Sequence, residues 1–138
     1  MKKLKLVLDT NVLISSFWGG NPEKILDLFK KNQVYILSSE DIIVELKEIL
    51  ERVIQNPYKI NPFLNFFLKK VIIVKPITTI SIIDSDPSDN KFLECALAGK
   101  ADFIISGDQK HLIPLKTFKN TPIFSPKQFL DHFQNLMS

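Results

Sequence analysis

The stretch "LVLDTNVLIS", Leu6–Ser15, decides how the chain is read. Its apolar opening has strand character, Asp9 interrupts it, and apolar residues resume only after Thr10 and Asn11. Asp is disfavoured within strands, and at a strand's end it begins a turn or caps the next helix. The same place, just past a strand's carboxyl end, is where an open parallel sheet holds its ligands. On this stretch alone both readings of Asp9 stay open.

Similar short apolar runs recur as "VYILS" from Val34, "VIIV" from Val71, "FIIS" from Phe103 and "PIFS" from Pro122. Helical segments separate them. Asn21 and Pro22 offer an N-cap and a first-turn proline for a helix reaching Lys31. From Ser39 to Ile54, residues Ile42, Ile43, Leu46, Ile49, Leu50 and Val53 follow helical spacing on one face. Further helices are expected from about Asn61 to Lys70, from about Pro87 to Gly99, and after Ser125, where Pro126 and Gln128 complete a capping box. This alternation predicts an α/β fold with a mostly parallel sheet covered on both faces.

The chain has 138 residues, 45% of them apolar, which suits one packed domain spanning residues 1–138. Its 18 basic and 15 acidic residues are intermixed and leave a net charge of +3, so no basic arm stands out. A single cysteine, Cys95, excludes an internal disulfide framework and points to a reducing compartment. The start "MKKLKLVLD" has too short an apolar run for a signal peptide, and no segment approaches the roughly 20 apolar residues of a membrane span. A soluble, cytoplasmic protein is expected.

Chemistry in such a sheet collects near the point where strand order reverses. Asp9 ends the first strand, and Asp108 follows the fourth after Ser106 and Gly107, so neighbouring strands would bring two carboxylates to one edge. A divalent cation is the ordinary remedy for such like charges. The long helix carries Glu40, Asp41, Glu45, Glu48 and Glu51. Glu45 lies roughly 95° from the centre of the apolar face and the others at roughly 125° to 155°, so Glu45 is best placed at the rim, with solvated surface as the alternative. In "DSDPSDNKFLECALAG", Asp86 and Pro87 read as a helix cap, while Asp89 either complements the helix dipole or faces the strand ends.

The ordered set Asp9-Thr10-Asn11, Glu45-Leu46, Asp89 with Phe92 and Ala96, and Ser106-Gly107-Asp108 resembles the PIN-domain nucleases across Leu6 to about Phe129. The "SFWGG" segment and "DPSDNKFLECALAGKADFIISGD" are most similar to prokaryotic PIN proteins grouped as toxins of toxin–antitoxin systems, relatives of the VapC-type toxins. The resemblance implies a three-layer α/β/α sandwich with a central five-stranded parallel sheet and an acidic pocket for Mg²⁺ or Mn²⁺. It also implies that Asp9, Glu45, Asp89 and Asp108 form the catalytic, metal-holding quartet. Asn11 would orient Asp9 or a water on the metal, Ser106 would hydrogen-bond within the site, and Thr10 is a weaker candidate for a similar role.

The expected activity is metal-dependent endoribonuclease action, with in-line hydrolysis of a phosphodiester leaving a 5′-phosphate and a 3′-hydroxyl. A weakly catalytic PIN scaffold that binds RNA is the alternative, and a small-molecule phosphatase using Asp9 as nucleophile is a third reading. His111 and His132 read as surface or packing residues, and no phosphate loop, dinucleotide fingerprint or zinc spacing is present. Lys91, Lys110 and Lys116 either meet phosphates or are solvated. Phe17 and Trp18 either stack on an unpaired base or pack over the first helix. Phe63, Phe66 and Phe67 read as core, with a seam for a homodimer or an antitoxin as the other possibility.

Overall fold

The structure, a computed structural model, describes residues 2–76, 90–107, 117–118 and 120–137, with 117–118 described by their backbone. Strands β1 (Leu4–Leu8), β2 (Val34–Ser38), β3 (Ile72–Ile73), β4 (Phe103–Ile105), β5 (Thr117–Phe118) and β6 (Thr121–Phe124) form one sheet in the order β3-β2-β1-β4-β6-β5. The first five in that order are parallel. The sheet is thus the expected five-stranded parallel one, extended at one edge by β5, which pairs antiparallel to β6. Two residues at a sheet margin carry no sequence pattern that could announce them.

Helices α1 (Thr10–Ser15), α2 (Gly20–Lys30), α3 (Glu40–Ile49), α4 (Pro57–Lys70) and α5 (Asn90–Gly99) lie between these strands, and α6 (Pro126–Met137) follows the last of them. Strand alternation sends Leu6, Leu8 and Ile36 into one core, shared with Leu13, Phe29, Leu46, Phe67 and Phe129 of the helices. Val7, Leu37 and Ile104 point the other way, against Phe92, Leu93, Cys95 and Ala96 of α5. Helices therefore cover both faces of the sheet, the α/β/α arrangement expected. Helix α3 serves both cores, giving Ile42 to one and Ile43 and Leu46 to the other.

Two helix starts differ from expectation. Helix α2 begins at Gly20 rather than Pro22, because Gly19 (φ 86°) and Gly20 (φ 73°) turn the chain out of a 3₁₀ turn at Ser16–Trp18 in a conformation that favours glycine. Helix α4 begins at Pro57, capped by Asn56 through the Tyr58 amide, so Pro62 lies inside the helix instead of opening it. At α4 the sequence holds two Asn-Pro pairs and the helix starts at the earlier one, whereas α2 starts ahead of its single pair. The helix predicted to reach Ile54 does so, with its last turn widened to a π-helix at Leu50–Ile54 and closed by Gln55 in the left-handed region. At α6 the capping box is reciprocal: the Gln128 amide donates to Ser125 Oγ, and the Ser125 amide donates to Gln128 Oε1.

Candidate active site

Strand order runs outward from β1 through β2 to β3 on one side, and continues through β4 on the other. The reversal therefore falls between β1 and β4, and both strands end there in a buried polar residue, Asp9 (3% exposed) and Ser106 (0%). Their backbones are fixed by the ladder: the Asp9 amide donates to the Ile105 carbonyl, and the Ser106 amide to that of Phe124.

Asp9 is the N-cap of α1, its Oδ1 accepting from the Val12 amide at 2.8 Å. Its Oδ2 accepts from Ser106 Oγ at 2.5 Å. Capping and placement at the switch point therefore coincide in one side chain. These two bonds orient the Asp9 carboxylate. Asn11 is exposed on the first turn of α1 and makes no hydrogen bond among the described residues. The Asp9 carboxylate accepts instead from the Val12 amide and Ser106 Oγ.

Glu45 is half-buried on α3, whereas Glu40, Asp41, Glu48 and Glu51 are exposed, in keeping with the helical angles. Its Oε2 accepts from the buried Thr10 Oγ1 at 2.8 Å and pairs with Lys91 Nζ at 3.0 Å. Thr10 ties α1 to α3, and Lys91, its side chain 15% exposed, ties in the first turn of α5. Lys91, expected either to meet phosphates or to be solvated, and Thr10, the weaker candidate, both meet Glu45. The signal for Thr10 was its place beside Asp9, one residue into a helix that packs on α3.

Asp89 and Asp108, with Asp86, Lys110, His111 and Lys116, lie outside the described residues. Among the described residues no three His, Cys, Asp or Glu side chains form a cation site. The described donors nonetheless suit a hard divalent cation: all are oxygens, and Glu45 Oε1 accepts no hydrogen bond among the described residues.

The other candidates separate. Phe17 packs on Phe63 at a ring separation of 4.9 Å, while Trp18 is 66% exposed on the adjoining turn. Phe63, Phe66 and Phe67 join the core through ring contacts with each other and with Phe29. His132 packs edge-on against Phe103 and Phe124. Cys95 is fully buried, and that burial pushes its thiol up to about 12. A concavity of ≈ 520 Å³ between α2 and α6 contains none of the proposed site residues.

A family model for the PIN domain matches residues 5–110, and the chain belongs to the PIN domain family. The chain is also 32% identical, over an alignment 151 positions long, to the uncharacterized protein MJ1680 of Methanocaldococcus jannaschii, covering 99% of this chain and 96% of that protein. PIN domains are in general nucleases, which act on nucleic acid and typically use divalent metals. No helix among the described residues is long and apolar enough to cross a membrane.

Proposed function

We propose that this PIN protein is a Mg²⁺- or Mn²⁺-dependent endoribonuclease and the toxin component of a toxin–antitoxin system. The observation that carries the nuclease reading is the buried Asp9 carboxylate, held by two hydrogen bonds at the reversal of strand order. A carboxylate kept there at the cost of desolvation is suited to a cation and a phosphate rather than to packing alone. Asp9 and Glu45 hold the metal together with Asp89, which directly precedes Asn90 of α5, and Asp108, which follows Gly107. When bound, the ion supplies charge stabilisation at the phosphoryl oxygens and a water acidic enough to attack at neutral pH.

The chain's own residues set the geometry. Ser106 and the Val12 amide fix the Asp9 carboxylate, so it need not reorganise as charge develops. Thr10 and Lys91 hold Glu45 by Oε2, which leaves Oε1 as the oxygen for the ion. Asn11, exposed beside Asp9, is placed to order solvent there. Trp18 and Lys110 are the further RNA contacts of this reading, and an antitoxin and a second copy of the chain are its protein partners.

The test is incubation of the purified protein with transfer, ribosomal and unstructured RNAs in Mn²⁺, Mg²⁺ or chelator, beside a chromogenic phosphate monoester. Internal RNA cuts that need the metal, with no release of phosphate from the ester, are expected. Ester hydrolysis without RNA cleavage would replace the nuclease with a phosphatase. Growth arrest on expression, relieved by Asp9→Asn, is the result expected of a toxin.

A further inference from the structure

Lysines far apart in sequence gather at one edge of the sheet. In this topology α2, α4 and α5 return the chain to the amino-terminal ends of the strands, and each return carries lysine: Lys30 and Lys31 before β2, Lys69 and Lys70 before β3, Lys100 before β4. Lys2 and Lys3 precede β1 at the same edge. The acid in these connecting segments is Asp102, and it is engaged, by Lys2 Nζ at 2.6 Å and by the Lys5 amide at 2.8 Å. Asp9, Glu40, Asp41 and Glu45 lie at the opposite edge.

Lysine at a helix carboxyl end complements the helix dipole, which accounts for part of this pattern. It does not account for Lys2 and Lys3, which lead into a strand. Nor does it account for the aromatic rings set among the ammonium groups. Lys3 Nζ lies 4.1 Å from the centre of the Tyr35 ring, and Tyr35 is 38% exposed. Lys30 lies over Phe66, and Lys70 over Phe29 while also donating to Asn32. Cations steadied on rings, beside an exposed tyrosine, match what the backbone and bases of a single strand require.

We propose that this amino-terminal edge of the sheet is a second RNA surface, binding the phosphate backbone of single-stranded RNA beyond the segment held at Asp9. The proposal rests on RNA being the substrate of the acidic edge. Six residues of extended chain, about 20 Å, separate Lys3 from Asp9. A substrate must therefore run well past the scissile bond to engage both edges, so the surface favours long RNAs over short oligonucleotides.

The experiment compares the whole protein with a Lys31→Gln, Lys69→Gln, Lys100→Gln triple variant, using circular dichroism melts to verify folding. Binding to a long unstructured RNA is followed by fluorescence anisotropy in chelator across a salt titration. The variant is expected to bind about 10-fold more weakly at low salt and to lose about 2 from the slope of log affinity against log salt. Its Mn²⁺-dependent cleavage of a short oligonucleotide should match the wild type. An unchanged affinity and slope, or wild-type protein that does not bind RNA, overturns the proposal; binding only of an acidic polypeptide does so too. A slope change in a protein that cuts no RNA would leave this surface standing and remove the nuclease reading. If the triple variant melts early, Lys31→Arg, Lys69→Arg, Lys100→Arg, which keeps the charge, must restore the slope.

Discussion

Ser106 Oγ donates to Asp9 Oδ2 across the boundary between β1 and β4, joining two strand ends that are 97 residues apart in sequence. Both groups are buried, so the bond is made without competition from solvent. Ser106→Ala removes this donor and keeps the cap bond from the Val12 amide. A stability loss of about 1–2 kcal/mol is expected in urea unfolding. Cleavage per folded molecule should fall about 10-fold or more as the carboxylate loses its fixed orientation. Unchanged turnover would show that Ser106 does not aim Asp9.

Lys91 places a positive charge 3.0 Å from Glu45, where a divalent cation is proposed to bind. Like charges oppose, so Lys91→Met should tighten Mn²⁺ binding, lowering the midpoint of a thermal-shift titration by about 3-fold to 10-fold. Thr10→Val removes a neutral donor to the same oxygen and should loosen Glu45 without that tightening. An identical response of the two variants would remove the electrostatic role assigned to Lys91.

Gly19 sits at φ 86° and ψ −156°, a region open in practice to glycine. A Cβ there meets nothing nearer than Glu23 Oε1 at 4.0 Å, so substitution tests backbone strain by itself. Gly19→Ala should cost about 1–3 kcal/mol. The melting temperature measures it, and catalysis by the remaining folded protein should be unaffected.

Cys95 is expected to be inert to thiol reagents until the protein unfolds, because burial raises its folded-state value from 9.0 to about 12. The neutral thiol is the form the folded state prefers, so its contribution is fully present below about 9. It falls as alkali ionises the unfolded chain, and is lost as pH rises through about 12. Urea midpoints of the wild type and Cys95→Ala, compared from neutral pH into that range, should converge. Parallel curves would show that Cys95 does not titrate differently in the two states.

Periodicity carried most of the fold. The strands at Leu4, Val34, Phe103 and Thr121 were legible as short apolar runs, buried on both faces of the sheet, and the helix bearing Ile42, Ile43 and Leu46 by its single apolar face. Helix starts were less so, since Asn21-Pro22 imitates a cap, while the actual starts depend on Gly19 and on Asn56-Pro57. At the site, the end of a strand marked Asp9, and helical angle marked Glu45. The pairing of Lys91 and Thr10 with Glu45 could not be read, because it depends on three helices meeting above the sheet edge. The segregation of lysines was hidden for a similar reason: helix ends far apart in sequence share one edge.

Replacing Asp9 by two different residues separates its capping of α1 from its proposed hold on the metal. Asn caps about as well as Asp, whereas Ala forfeits about 1 kcal/mol. Asp9→Asn should therefore unfold in urea within about 0.5 kcal/mol of wild type while losing about 100-fold or more of its metal-dependent RNA cleavage. Asp9→Ala should lose both. Cleavage retained within a few-fold in a stably folded Asp9→Asn protein would contradict the account, and would reduce Asp9 to the helix cap that its position also explains.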